Sequence, residues 1–302
     1  MQAVHAADYR AFREAMEPTL RASRLGDPRF TVCGLTPDDV GALIPDLLDF
    51  TSQPRTAAEC RTWLEQRLGA PVQPPAWRML RQYAPLWHVP AGGPWMFGAQ
   101  PPYAAASPRP VLADPAAADA GMQILIRRYL AGFGPASVPD MAQFALVQRA
   151  RATKAVQALA GELERLEGPG GVVLYDLPGA PRPAADTPAP PRLMAMWDNM
   201  LLAYADRGRA IPPGYRQHLT RLNGDVLPAV MVDGYVAGVW RPTAKGIEAT
   251  AFHDLPGEAW DALAAEASAL TEFLADREPE VYRRHGHWWA KLPAHQARVL
   301  PG

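Results

Sequence analysis

Several groups of polar residues in this sequence have the types and spacing that chemistry uses. Asp198-Asn199 is followed closely by Tyr204, Asp206, Arg207 and Arg209. Carboxylate, amide, phenol and guanidinium so close together can line a pocket, or can tie strand ends by ion pairs and hydrogen bonds; both readings stay open here. A second group is basic: Arg78 and Arg81 in one candidate helix, and Arg149, Arg151, Lys154 and Arg165 further on. Helix-borne Arg and Lys make phosphate contacts, and Arg can pair bidentately with guanine. The plainer alternative is a solvated helix face. His285-Gly-His287 offers two imidazoles in a basic tail, a pattern more often solvated than metallated, and no metal site is expected. Neither a Gly-x-Ser-x-Gly elbow, a Walker loop nor a His-Glu-x-x-His pair occurs. Gly168-Pro-Gly-Gly171 reads as a turn rather than a phosphate cradle, and no cofactor is expected.

These residues must be positioned by ordered elements. A chain of 302 residues with 48% apolar content can bury a sizeable core in two domains or several small modules. No run is long enough to cross a membrane and no signal sequence opens the chain, so a cytoplasmic address is expected. Cys33 and Cys60 make neither a disulfide framework nor a metal set. A net charge of −1 argues against strong non-specific nucleic-acid binding while permitting a local basic face. With 33 prolines, short elements and stiff connections are expected rather than one long helix bundle.

Residues 5–24 read as a helix with Tyr9, Phe12, Met16 and Leu20 on one face, broken or kinked by Pro18. Thr36-Pro37-Asp38-Asp39 starts another, whose apolar face is Leu43, Ile44, Leu47 and Leu48. Thr56-Ala-Ala-Glu59 is a capping box before a stripe of Trp63, Leu64 and Leu68. Ala76–Tyr83 is a candidate recognition helix, and 86–89 with 95–97 a hairpin. The pattern then repeats. Residues 121–132 read as a helix with Ile124, Leu125 and Tyr129 on one side, Ser137 to Asp140 caps a short helix, and 154–167 is a third. Val172–Leu177 begins a second hairpin and 178–191 is a stiff connector. The runs 227–232 and 235–240, joined by Asp233-Gly234, make an antiparallel pair, because that dipeptide suits the positive φ of a primed turn. A strand at 247–252 and an amphipathic helix at 258–275 follow.

The spacing of several motifs resembles the winged-helix DNA-binding proteins related to the alkylpurine DNA glycosylase AlkZ. The residues are Asp198-Asn199, Ala205-Asp206-Arg207-x-Arg209, Ile211-Pro212, Gly224 and the run Val232-Asp233-Gly234-Tyr235-Val236-Ala237-Gly238-x-Trp240-Arg241. Arg55-Thr56-x-x-Glu59, Val89-Pro90-x-x-Gly93-x-Trp95 and Gly134-Pro135-Ala136-Ser137-x-x-Asp140 agree with it. Phe144 stands where relatives usually have Trp, Leu146 where they have Gly, and Tyr204 where they have His. The resemblance implies an α+β fold: tandem winged-helix modules, then a small antiparallel β-barrel or sheet domain with a C-terminal helix. The expected divisions are 1–53 (remnant of a first module), 54–108 and 119–181 (modules), linkers 109–118 and 182–191, a sheet domain 192–279 and a basic aromatic tail 280–302.

By that resemblance the partner is double-stranded DNA, alkylated or crosslinked, bound by a monomer acting in repair or self-resistance. The glycosylase relatives share an N-terminal Gln-x-Gln or Gln-x-Asp motif, whose oxygens can hold water and stabilise an oxocarbenium-like state. No such tripeptide occurs in this chain. By the resemblance Met1 is expected to align inside the family's first module, after the segment in which relatives carry the motif. Two alternatives stand beside glycosylase chemistry: a non-catalytic DNA-binding regulator or lesion-sequestering protein, and a protein–protein interaction module.

Overall fold

The computed structural model describes residues 4–90, 97–98, 100–222, 224–275, 287–289, 291–293 and 295–301. The chain divides into two compact units, Met1–Ala180 and Pro181–Gly302.

The first unit opens with α1 (Ala6–Leu20), which carries Pro18 inside it and continues into a π-helical turn, Arg21–Leu25. Proline has no N–H for the helical ladder. Instead of breaking, the helix runs on and widens three residues later. The face expected to be buried is only half-buried, and the most enclosed residues of α1 are Arg13, Glu14, Ala15 and Glu17. After α2 (Pro28–Thr31), α3 (Pro37–Phe50) starts at a Thr36/Asp39 capping box and buries Leu43, Ile44, Leu47 and Leu48. The Thr56/Glu59 capping box starts α4 (Ala57–Leu68). Its inward stripe is Cys60 and Leu64; Trp63 is half-buried and stacks on Phe50, and Leu68 is exposed. Then α5 (Pro74–Tyr83) buries Trp77, Met79, Leu80 and Tyr83 against these helices.

β1 (Leu86–His88) pairs antiparallel with β2 (Tyr103–Ala105). The return strand therefore lies later than expected. Of the residues proposed for it, 95 and 96 lie outside the described set and Phe97 is in no strand. Next, α6 (Pro115–Phe133), capped by Asp114, packs closely on α1. A Cβ at Gly121 would overlap the carbonyl of Ala11. Met122, Leu125, Ile126, Tyr129 and Leu130 are buried, whereas Ile124 faces outward.

The Ser137/Asp140 capping box starts α7 (Val138–Ala145), which ends at Leu146 in the left-handed region, φ 51°. Phe144 packs against Tyr129 and Phe133. The helix expected over 154–167 is α8 (Arg149–Ala158), and Glu164–Glu167 is instead β3, paired with β4 (Val173–Asp176). Leu163 and Leu166 fit a helical stripe, but Glu164–Glu167 also alternates in burial, and pairing with β4 satisfies its backbone. The turn between the two strands is the Gly168–Gly171 stretch.

In the second unit, β5 (Arg192–Leu193), α9 (Asn199–Leu202) and α10 (Arg216–Leu219) lead to β6 (Ala229–Val232), β7 (Tyr235–Thr243) and β8 (Gly246–Ala251). The helix α11 (Gly257–Leu274) and β9 (Gln296–Leu300) follow. The strands form one antiparallel sheet in the order β5-β6-β7-β8-β9. It is open: among the described residues no pairing joins β5 to β9, so the barrel alternative does not hold. Asp233 and Gly234 turn the β6–β7 hairpin with φ 51° and 75°, the double positive φ of a primed turn.

Val236–Trp240 of β7 are buried without alternation because both sheet faces are covered there. Trp260, Leu263 and Ala267 of α11 pack on Val230, Ala237, Trp240 and Ala249. Met196, Leu201, Ile211, Leu219 and Leu227 cover Met231, Val236 and Val239. The region read as a basic tail supplies strand β9 and the buried Trp289.

Candidate nucleic-acid interface

The basic residues separate into three that face solvent and three that are engaged. Because α5 turns Trp77, Leu80 and Tyr83 inward, Arg78 is exposed. Arg81, one turn on, is half-buried, and its Nη1 donates to Tyr103 Oη on β2 at 2.6 Å. Arg149 is exposed at the first position of α8, and Arg165 is exposed on β3 opposite Tyr175. Arg151 lies inward: Nη1 donates to the Ala15 carbonyl at 2.7 Å and Nη2 to that of Ala118 at 3.4 Å. Burial holds its pKa below the usual guanidinium value. Lys154 pairs with Asp119 at 2.5 Å. Arg81 and Arg151 therefore brace the unit, Lys154 is exposed but paired, and Arg78, Arg149 and Arg165 are the exposed candidates with no side-chain partner among the described residues.

The candidate residues of the second unit are placed around helix starts. Asp198 caps α9, accepting from Met200 N at 2.9 Å. Asn199 is exposed at the first position of that helix. Asp206 caps a 3₁₀ turn, Arg207–Arg209, accepting from Gly208 N at 2.9 Å. The Arg209 guanidinium lies over the Tyr204 ring, 4.4 Å from its centroid. Arg207 is half-buried; desolvation, helped by Arg216, lowers its pKa. Both carboxylates thus accept from backbone N–H groups.

A further arrangement left little trace in sequence. Glu17, 4% exposed, accepts from the Tyr83 hydroxyl at 2.8 Å. Arg13, 8% exposed, donates to the Tyr83 carbonyl and lies over the Tyr83 ring. Burial lowers the Arg13 pKa, and the charge of Glu17 among others opposes that shift. Glu14 accepts from Arg10 and from the Val111 backbone. Beside this network is a cleft of about 700 Å³. Pro18, Ala22, Leu25, Pro37, Pro115 and Ala118 form its apolar walls, and Glu17, Arg21, Asp119 and Arg151 also line it. The only sequence signal was charge at helical positions adjoining an apolar stripe.

Among the described residues no group of His, Cys, Asp and Glu is placed to hold a metal ion. His285 lies outside them, while His287 is exposed beside Trp288. No described helix is long and apolar enough to cross a membrane.

A family model described as DNA glycosylase AlkZ-like matches residues 1–273. The chain belongs to the AlkZ-like DNA glycosylase family. The AlkZ-like assignment agrees with the fold: the chain is similar to the solved Streptomyces sahachiroi DNA glycosylase AlkZ, with a TM-score of 0.69 and 19% identity over 99% of this chain and 77% of that one. No curated protein sequence matches this AlkZ-like chain.

Proposed function

We propose that this AlkZ-like protein binds duplex DNA through two winged-helix modules, and that it acts on alkylated or crosslinked DNA in repair or self-resistance. The observation that carries the reading is the outward set Arg78, Arg149 and Arg165. In both halves of the first unit a helix bearing an exposed arginine, α5 or α8, precedes a two-stranded ribbon. That order suits a recognition helix followed by a wing, in which the helix enters the major groove and arginines hold phosphates. In the second unit, Asp198, Asn199, Tyr204, Asp206 and Arg207 would contribute to a polar pocket there.

A second reading is a lesion-binding protein that does not excise bases; the 302 residues given contain no Gln-x-Gln or Gln-x-Asp tripeptide. One experiment tests both. The purified chain is titrated into undamaged and alkylated duplexes at several salt concentrations, and the products are heated in alkali to reveal abasic sites. Salt-dependent binding with strand breaks supports excision, and binding without breaks supports the second reading. Absence of binding at low salt overturns both, leaving the interaction-module alternative.

A further inference from the structure

The basic aromatic tail enters the second unit in a way that the DNA-binding reading does not use. Trp288 and Trp289 lie beyond the residues that the family model matches. Both pack on the apolar cluster that contains Leu219, Val226 and Leu227. Those residues flank a turn in which Thr220 bridges Val226 and the Arg221 N–H donates to the Asp225 carbonyl at 2.8 Å. The turn carries the Arg221 guanidinium over the Trp288 ring, 4.8 Å from its centroid, and Lys291 Nζ lies 6.0 Å from the same ring.

This packing encloses a set of hydrogen-bond donors. Arg221 Nε and Nη2, Trp288 Nε1, Trp289 Nε1 and Thr220 Oγ1 are shut off from solvent, and none has a partner among the described residues. Buried polar atoms are almost always satisfied, and a group of them left open is explained by a water or an ion. The make-up of the set selects the ion. Indole and guanidinium N–H groups donate and cannot accept, so what lies between them must be rich in acceptors. Burial lowers the Arg221 pKa with no carboxylate opposing the shift, whereas carboxylates oppose it at Arg13 and Arg151. A desolvated guanidinium without a counter-charge is costly. An oxyanion supplies the acceptors and the charge together. Nε and Nη2 form one edge of the guanidinium, the fork that takes two oxygens side by side. Nη1 is not among the enclosed atoms, so the group meets solvent along a narrow rim. A free or terminal phosphate can enter there; an internal phosphodiester, esterified on two sides, is held off. We infer that Arg221 and Trp288 form a phosphate site, taking a free or terminal phosphate whose oxygens accept from Arg221 Nε and Nη2 and from Trp288 Nε1. This site does not depend on the DNA-binding reading.

The test is isothermal titration calorimetry of the whole chain with inorganic phosphate, ionic strength held constant with chloride. The wild type should bind phosphate. Trp288→Phe keeps a ring under Arg221 and removes the indole N–H; it should weaken binding by about tenfold, the size of one hydrogen bond to a charged group. Arg221→Met, similar in length and uncharged, should abolish it. No binding by the wild type, or binding that either variant leaves unchanged, overturns the proposal. Where Arg221→Met fails to fold, Trp288→Phe decides alone. Two short duplexes, one with a 5′-phosphate and one with a 5′-hydroxyl, then identify the source. A preference for the phosphorylated duplex that Arg221→Met removes places the phosphate on a DNA end. Equal affinity for the two, or binding of neither, with inorganic phosphate still bound, makes it a free one.

Discussion

The division between outward and inward arginines can be measured as a salt dependence. Each phosphate neutralised by a protein cation releases counterions, so the slope of log affinity against log salt is about −0.9 per contact on duplex DNA. Arg78, Arg149 and Arg165 are exposed and have no partner among the described residues. If each meets one phosphate, replacing all three by alanine should make the slope shallower by about 2.7. Between 50 and 200 mM salt, the wild type should then lose about fortyfold more affinity than the triple variant. Fluorescence anisotropy with a labelled duplex reads this directly. Arg81→Ala and Arg151→Ala provide the contrast, since their guanidiniums are held by Tyr103, Ala15 and Ala118. They should lower stability and leave the slope unchanged. A triple variant whose slope moves by less than one, or an Arg81 variant whose slope moves as far, would refute the assignment.

Other consequences are independent of DNA. Leu146→Gly should raise stability by about 1 kcal/mol in urea unfolding, because Leu146 is exposed at φ 51° and a left-handed L-residue costs about that much; no change would mean the strain is absent. Arg13→Ala should cost about 1–3 kcal/mol by the same assay, since it leaves the buried Tyr83 carbonyl without its donor. Thiol titration of the native protein should detect Cys33 readily, while Cys60, its pKa pushed to about 11 by burial, reacts only after unfolding. Burial lowers the His88 pKa in the fold. The unfolded chain therefore takes the proton first, and stability present above about pH 6.5 should decline as pH falls below it, an effect removed in His88→Phe.

Local chemistry made much of the fold legible. Thr36, Thr56 and Ser137 announced helix starts because a cap and its reciprocal carboxylate lie within four residues. Asp233-Gly234 announced its hairpin for a similar reason. Misreadings arose where distant partners decide. Glu164–Glu167 carries leucine spacing that serves helix or strand equally, and β4 settles it. The strand pairing with β1 came from 103–105, beyond an intervening stretch whose aromatics looked as suitable. In α1, Arg13 and Glu17 are buried with hydrogen bonds to and from Tyr83, which arrives from α5. For the same reason Arg81 and Arg151 looked interchangeable with Arg78 and Arg149; a sequence shows which residues are cationic, but not which hydroxyls and carbonyls will claim them.

The order of the sheet bears on how the protein is made. The first unit has all its strands and helices by Ala180, so it can begin to fold while translation continues. The sheet of the second unit is different, because β8 pairs on one side with β9, which is Gln296–Leu300. Until those residues leave the ribosome, β8 has an unpaired edge, the kind that recruits strands from other chains. A message cut before codon 296 would therefore yield a nascent chain with a finished first half and an adhesive second half. Such a product should be found with chaperones or in inclusion bodies rather than in solution.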